Sequence, residues 1–171
     1  MPPVPRLFVA VWPPDDVLDA VARLGRPAVT GLRWTGREQW HVTLRFLGPV
    51  ADATPVVEAL RGVATGPVEA VVGPAVGRFG HRVLHVPVSG LGPLADRVVE
   101  ATAGLGRPPE HRHFAGHLTL ARVAKGARVD LSRLAGEAVS GRWTVGEVCL
   151  VESHLSPAGA RYEVVGSFPV S

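Results

Sequence analysis

The chain has 171 residues, of which 46% are hydrophobic and 19% charged, a balance that supports a packed core and excludes an intrinsically disordered chain. The formal net charge is only +3, so we do not expect a protein that binds nucleic acid over its whole surface. The single cysteine, Cys149, excludes an internal disulfide, and its apolar neighbours in the sequence indicate a buried thiol rather than a nucleophile.

Targeting signals are not evident in the sequence. The early apolar run at 7–12 is too short for a secretory signal, and no run approaches the ~20 apolar residues that a membrane-spanning helix needs. We therefore expect a cytoplasmic protein with no membrane association. As a separate expectation, which these signals do not bear on, the protein is taken to be a monomer.

Short strands and helices alternate along the chain. In order, the sequence predicts a strand at 6–12, a helix that opens at 13–16 and ends at Gly25, a strand at 40–47, a helix at 53–64, strands at 68–72 and 82–88, a helix at 91–105, and strands at 117–123, 143–152 and 162–168. With short turns at 48–52 and 156–160, this order favours an α+β fold with antiparallel or mixed pairing. No linker divides the chain, so we expect one domain over residues 1–171.

One four-residue pattern occurs twice. It runs His-Val-Thr-Leu at 41–44 and His-Leu-Thr-Leu at 117–120, a little under half the chain later. The repeat predicts two pseudo-symmetric lobes, each contributing one such strand to a shared cleft. A single His-x-Thr match is weak, because a histidine in a strand is more often structural than catalytic, but two copies at the start of predicted strands are harder to attribute to chance.

The pattern has a chemical meaning because residues i and i+2 of a strand share a face. His41 therefore shares a face with Thr43, and His117 shares one with Thr119. A hydroxyl can bind a phosphate oxygen, and an imidazole with an unperturbed pKa near ~6.5 can give or take a proton at neutral pH. Two such pairs on opposite sides of a phosphorus atom would supply the acid and the base of an in-line displacement without a metal ion.

A metal site is the competing chemical interpretation. The close histidine pairs are His81 with His85 and His111 with His113, and neither belongs to a recognised ligand motif. We therefore expect no metal and no cofactor.

At this point the residues resemble a known family, the two-histidine phosphoesterase superfamily, and within it the RNA 2′,3′-cyclic phosphodiesterases historically called 2′-5′ RNA ligases. The first motif, with Phe46 and Gly48, is close to the family's His-x-Thr-x-x-Phe-Leu-Gly, and the second, with Arg122, to its His-x-Thr-x-x-Arg. The strand at 6–10 and the segment from 148 to Tyr162 also resemble the family, so the likeness covers nearly the whole chain.

Two positions depart from the family pattern. The residue before the second histidine is Gly116, where proline is usual, and His85 stands where a bulky aromatic or aliphatic residue is usual. The glycine is expected to loosen the backbone before the second motif. Both departures leave the motif residues intact, so they bear on substrate preference.

The resemblance implies a bilobal α+β fold, in which two antiparallel sheets line a central cleft with helices outside. It implies hydrolysis of RNA 2′,3′-cyclic phosphodiester ends, or of cyclic nucleotides, to 2′-phosphomonoesters. His41 would then donate a proton to the leaving 3′ oxygen and His117 would accept one from water, while Thr43 and Thr119 hold the phosphate. The residues themselves treat the two motifs alike, so this division of roles rests on the family.

Three arginines are further candidates for substrate binding. Strict alternation turns Arg122 away from His117, so a twist or strand end must return it to the cleft, where the family match favours a phosphate contact. Arg45 shares the predicted face of His41, and Arg6 could approach from the first strand.

For the aromatic residues near the motifs, the sequence predicts packing rather than a part in catalysis. Phe46 is predicted to lie in the core. Trp34, Trp40 and Phe79 could stack a base but are better explained as packing.

Two alternative functions stay open at this stage. The same site could join a 2′,3′-cyclic end to a 5′ hydroxyl, which is RNA ligation, although water should outcompete an RNA end. The chain could also be a module that binds RNA ends without turnover, but binding alone gives no reason for paired proton-transfer groups.

Overall fold

The computed structural model describes residues 3–170, and within them it contains ten strands, three α-helices and two short 3₁₀ turns. The strands are β1 (Arg6–Val11), β2 (Leu32–Trp34), β3 (Val42–Pro49), β4 (Val68–Val72), β5 (Gly77–Phe79), β6 (Val83–Ser89), β7 (His117–Val123), β8 (Gly141–Val145), β9 (Glu147–Ser156) and β10 (Gly159–Pro169). The helices are α1 (Asp15–Ala22), α2 (Thr54–Leu60) and α3 (Gly92–Ala101).

The strands form two antiparallel sheets. The first has the order β10-β9-β1-β3, and the second has the order β2-β7-β6-β4-β8, with β5 paired beside β6. The first motif belongs to β3 and the second to β7. The predicted α+β fold with two antiparallel sheets is therefore confirmed.

Alternation in β1 divides its side chains between two apolar clusters. Leu7, Val9 and Val11 join the main core, which contains residues of both sheets and all three helices. Phe8 and Ala10 point to the opposite face, where they form a small cluster with residues of β9 and β10. This second cluster lies beside the first motif and forms an apolar wall there.

Each of the two longer helices packs on the sheet that it does not follow in the chain. α1 comes after β1 of the first sheet, and its apolar face, Val17, Leu18 and Val21, is buried against the second sheet at β8. α3 comes after β6 of the second sheet and packs on β3 of the first. These crossings fix the two sheets relative to one another.

The structure departs from the predicted elements at a few places. Residues 143–152 form two strands of different sheets, divided at Gly146, rather than one. The helices are shorter than predicted, and α3 ends at Ala101, where the hydroxyl of Thr102 donates to the Val98 carbonyl. The three-residue strands β2 and β5 were not predicted, because such short strands have too few residues to show alternation.

No helix among residues 3–170 is long and apolar enough to cross a membrane. The cytoplasmic location and the monomeric state remain predictions.

Candidate active site

A cleft of about 600 Å³ is lined by residues of both sheets. Six of the seven candidate side chains line this cleft. Arg6, His41 and Thr43 come from β1, the residue before β3 and β3 itself, on the first sheet, and His117, Thr119 and Arg122 come from β7 of the second sheet. The two motifs are thus brought together from remote parts of the chain, although the roles of their residues stay predictions. Arg45 is the exception.

An extra residue in β3 explains why Arg45 leaves the cleft. Thr43 pairs with Ala10 and Arg45 pairs with Val9, so Leu44 between them has no partner of its own and forms a β-bulge. Beyond a bulge the alternation of faces is reversed. Arg45 therefore turns to the interior, and the prediction that it shares the face of His41 is wrong.

The buried Arg45 guanidinium binds the end of α3 instead of a substrate. Only 4% of the residue is exposed, and it donates to the carbonyls of Thr102 (2.6 Å), Leu105 (2.9 Å) and Arg107 (3.0 Å), as well as to the Thr102 hydroxyl. Thr102 is the C-cap of α3, where the helix carries partial negative charge that a cation stabilises, while Leu105 and Arg107 belong to the loop that follows. Burial lowers the Arg45 pKa. Its role is to hold α3 and the following loop against β3.

The same bulge brings Phe46 into the cleft. Phe46 pairs with Phe8, lines the cleft and is 40% exposed, so the prediction that it belongs to the core is wrong. The Arg6 guanidinium lies over its ring, 5.3 Å from the centroid. This pair places a cation and an exposed aromatic face together on the first sheet's side of the cleft.

The second motif contains an equivalent bulge. Thr119 pairs with His85 and Ala121 pairs with Leu84, so Leu120 is the extra residue in β7. The bulge reverses the alternation of faces, so Arg122 lies on the cleft face together with His117. Strict alternation would have turned it away, and the bulge is the break in alternation that its predicted phosphate contact needs. Arg122 thus occupies in the second motif the position that Phe46 occupies in the first.

Thr35 holds the second bulge in place. Its hydroxyl lies 2.6 Å from the Thr119 carbonyl and 3.0 Å from the Leu120 carbonyl, and its backbone N–H donates to Leu120. The indole N–H of the buried Trp40 donates to the Thr35 hydroxyl. The packing predicted for Trp40 is confirmed, since only 1% of it is exposed, whereas Thr35, which follows the short strand β2, could not be assigned to this site from the sequence.

Three aromatic rings surround His41, which lies immediately before β3 rather than within it. The ring centroids of Phe8, Trp12 and Tyr162 lie 5.0, 5.0 and 4.9 Å from that of His41. His41 Nε2 lies 3.2 Å from Thr43 Oγ1, within hydrogen-bonding distance. The imidazole is therefore held by packing on its sides and meets a hydroxyl at Nε2.

His117 is oriented by a backbone carbonyl. Its Nδ1 lies 2.8 Å from the Ala115 carbonyl, which can only accept, so the neutral ring carries its proton on Nδ1 and leaves Nε2 as an acceptor. Phe79 and His85 pack edge-on against the ring, with centroids at 4.8 and 5.6 Å. His85 stands where the family usually has a bulky aromatic or aliphatic residue, and it therefore places a third, buried imidazole behind the second motif.

Gly116, the other departure, is tied to β6 rather than free. Its carbonyl accepts from the Val88 N–H, and a Cβ at this position would lie 2.4 Å from the Val88 carbonyl oxygen. The strands approach too closely here for any residue with a side chain.

Burial lowers the pKa of both motif histidines. Desolvation takes the pKa of His41 to about 4, with the Gln39 carbonyl opposing and the charges of His117 and Arg122 adding to the effect. Desolvation also lowers the pKa of His117, against the opposing Ala115 carbonyl. Both rings are thus neutral at pH 7 in the empty cleft, and an anion between them would favour their protonated forms.

The charges on the cleft are all of one sign. Its cationic side chains are Arg6, Arg33, Arg122 and Lys125, and no Asp or Glu lines it. Within residues 3–170, none of the four has a carboxylate oxygen within 4.0 Å. Unpaired cations facing a concave surface create a positive potential that favours an anionic ligand.

The residues described by the structure contain no group of three or more His, Cys, Asp or Glu side chains placed to hold a metal ion. Neither of the two close histidine pairs in the sequence is joined by a third such ligand.

A family model of the 2′-5′ RNA ligase superfamily matches residues 13–157. The chain belongs to this superfamily. The resemblance stated from the two motifs is therefore confirmed.

Curated relatives within the superfamily cover most of the chain. An RNA 2′,3′-cyclic phosphodiesterase of Geobacillus stearothermophilus is 29% identical over an alignment 179 positions long, which covers 95% of this chain and 56% of that protein. One of Aeropyrum pernix is 31% identical over an alignment 162 positions long, which covers 86% of this chain and 89% of that protein. The chain spans about half the length of the first relative and most of the second.

Solved structures share the fold of this superfamily member. TT0787 of Thermus thermophilus superposes with a TM-score of 0.77 at 28% identity, covering 96% of this chain and 97% of that one. LigT of Escherichia coli, solved in complex with 3′-AMP, gives a TM-score of 0.74 at 21% identity over 99% of both chains.

Replacing Arg45 tests its structural role. Arg45→Met should lower the free energy of unfolding by about 3 kcal/mol, because it leaves the Leu105 and Arg107 carbonyls without their donor and leaves the Thr102 carbonyl with only the Leu105 N–H. Urea unfolding measures the change, and Arg61→Met, at the exposed position that follows α2, is the matched control. An unfolding midpoint equal to that of the control would contradict the assignment.

Replacing Thr35 tests the support of the bulge. Thr35→Val keeps the shape of the side chain but removes the hydroxyl that serves two carbonyls and an indole, and should cost about 1–3 kcal/mol of stability. Hydrogen exchange at the β2–β7 pairing should become faster in Thr35→Val and stay slow in Thr35→Ser. Equal exchange in the two variants would show that the hydroxyl does not hold the bulge.

Proposed function

We propose that this superfamily member hydrolyses RNA 2′,3′-cyclic phosphodiester ends to 2′-phosphomonoesters. One observation carries the proposal: two imidazole–hydroxyl pairs, one on each sheet, meet in a single cleft that bears four cations and no carboxylate. The names of the Geobacillus and Aeropyrum relatives support the same substrate class.

His117 acts as the base. Its Nδ1–H is engaged by the Ala115 carbonyl, so Nε2 has a lone pair free to take a proton from water. The oxygen of that water then bonds to phosphorus. A fixed tautomer and a lowered pKa both keep this ring in its proton-accepting form.

His41 acts as the acid on the opposite side. As the bond from phosphorus to the 3′ oxygen breaks, His41 Nε2 supplies the proton that converts the departing oxygen to a hydroxyl. Its low intrinsic pKa makes the protonated ring a strong donor, and the bound phosphate anion favours that protonated form. The 2′ oxygen keeps the phosphate, and solvent exchange restores both rings.

Thr43, Thr119 and Arg122 stabilise the phosphate during the displacement. Negative charge on the non-bridging oxygens is met by two hydroxyl donors and one guanidinium, all preorganised on rigid strands. No carboxylate competes for these donors on the cleft. The reaction as proposed requires no metal and no cofactor.

Removing either imidazole should abolish most of the activity. His41→Ala and His117→Ala should each lower kcat by about 10²- to 10⁴-fold on a 2′,3′-cyclic mononucleotide, because each removes one proton transfer. Product identification by ³¹P NMR should show a 2′-phosphate, formed equally well in the presence of a chelator. His81→Ala, an exposed histidine outside the cleft, is the control.

Other outcomes separate the rival functions. Activity lost in chelator and restored by a divalent ion would favour metal catalysis. Tight binding of cyclic-ended RNA with no product at any pH would identify a binding module. A ligated product that outweighs hydrolysis when a 5′-hydroxyl RNA is supplied would favour the ligase.

The pH dependence should reflect the lowered pKa values. The acid must be protonated and the base neutral, so kcat/KM should be bell-shaped, with its maximum midway between the two pKa values of the free enzyme. Because burial lowers both below 6.5, that maximum should lie below pH 6.5. The maximum of kcat should lie at a higher pH, since the bound anion raises both pKa values. A kcat/KM maximum at or above pH 6.5 would contradict the assignment.

A further inference from the structure

Three of the four cations on the cleft have no task in the proposed reaction, and one of them, Arg6, lies over the Phe46 ring. A cyclic phosphodiester carries one negative charge, and Thr43, Thr119 and Arg122 already suffice to hold it. Arg33 and Lys125 line the same cleft and are exposed, with no carboxylate partner among residues 3–170. Their positive charge is unbalanced in the free protein.

Arg33 lies directly opposite Arg122. The two are paired residues of the antiparallel strands β2 and β7, so their side chains share the cleft face with Cβ atoms about 4.5–5.5 Å apart. Like charges at such a position are destabilising unless an anion lies between or beside them. The pairing is built into the strand register, so the side chains cannot separate fully without breaking it.

Arg33 is also held in place with most of its donors unused. Its Nη2 donates to the Pro157 carbonyl at the tip of the β9–β10 hairpin, 3.2 Å away. That is the single acceptor it meets among the described residues, out of five N–H donors that a guanidinium carries. The side chain is thus anchored across the cleft by one hydrogen bond and presents the rest to a ligand.

Lys125 extends the charge along the same wall. It lies in the turn that follows β7, next to Ala124, which is fixed by a hydrogen bond from its N–H to the Gly31 carbonyl. Because of the bulge at Leu120, Arg122 lies only two pairing steps beyond Thr119, from His85 to Val83 on β6, so its backbone is roughly 7 Å along the strand from that of Thr119. One nucleotide, together with the reach of these long side chains, spans that distance.

We infer that Arg33 and Lys125 form a second phosphate site, which binds the phosphodiester on the 5′ side of the terminal nucleotide. The inference rests on the proposed function, which supplies the terminal cyclic phosphate. It narrows the substrate class, because an enzyme with this site prefers RNA chain ends to free cyclic mononucleotides. The ligand chemistry is a phosphate monoanion or dianion one nucleotide away from the reacting phosphorus.

Three substrates measure the preference directly. They are a 2′,3′-cyclic mononucleotide, the same nucleotide with a 5′-phosphate, and a dinucleotide with a 2′,3′-cyclic end. For the wild-type protein, kcat/KM should rise by about tenfold from the first to the other two, the effect of one charge-assisted phosphate contact. Arg33→Gln and Lys125→Gln should each remove most of that preference.

Matched variants separate charge from structure. Arg128→Gln removes an exposed cation three residues from Lys125 that does not line the cleft, and should leave the preference unchanged. Arg33→Lys keeps the charge and should retain most of it. For the dinucleotide, log kcat/KM should decrease with log salt concentration, and the slope of that decrease should be less steep by about 0.7 in Lys125→Gln. This is the change expected for one lost phosphate contact on a single strand.

The results distinguish this inference from the proposed function. Turnover of all three substrates with equal kcat/KM would overturn the second site and leave the function intact. A gain seen with the dinucleotide alone, and kept in Arg33→Gln and Lys125→Gln, would assign it to the upstream nucleoside and also overturn the site. If no substrate is turned over, anisotropy with a dinucleotide ending in 2′-phosphate still decides, since both variants must weaken its binding and flatten its salt dependence.

Discussion

A strand presents only every second side chain to one surface, and both motif strands break this rule at the residue after the threonine. The bulges at Leu44 and Leu120 return the sixth residue of each motif to the cleft and send the fifth to the interior. Without them Arg122 would point into the core, where an unpaired cation is very costly. The cleft therefore depends on two single-residue insertions, one of which is held by a threonine hydroxyl.

Because of the bulges, the fifth residue of each motif faces the interior and the sixth faces the cleft. The fifth residue is Arg45, whose guanidinium binds the carbonyls after α3, in the first motif and the small, buried Ala121 in the second. The sixth serves the ligand, as an aromatic face on one wall and a cation on the other. The two halves thus share a backbone plan while differing in the chemistry that they offer.

Burial controls the protonation of the site. Burial among three aromatic rings penalises the His41 imidazolium, and burial also lowers the pKa of His117, so both rings are neutral at pH 7 in the free protein. Its positive potential comes from arginine and lysine, whose charge does not depend on pH near neutrality. Attraction of the substrate and proton transfer are therefore assigned to different side chains.

The sequence predicted those parts of the fold and of the cleft that depend on residues close together in the chain, and it missed those that depend on pairing between remote strands. Period-two spacing placed His41 with Thr43 and His117 with Thr119, and the repeat indicated that they meet. Period-two spacing also misplaced Arg45 and Phe46, because a bulge is set by pairing with β1, which the motif does not encode. The strand β2 left no pattern, so Arg33 and Thr35 were missed, and the division at Gly146 was missed because residues 143–152 were interpreted as a single strand despite Gly146 and Glu147.

The crossed packing of the helices has a consequence for the distance between the two imidazoles. α1 follows β1 of the first sheet and packs on the second. α3 follows β6 of the second sheet and packs on the first, where Arg45 of β3 donates to the Thr102 carbonyl at its end. Each helix therefore ties one wall of the cleft to the sheet of the other wall, and a change in the distance between the walls would have to disturb the packing of α1 on β8 or of α3 on β3. The relative placement of the two imidazoles thus depends on helix contacts that lie outside the cleft.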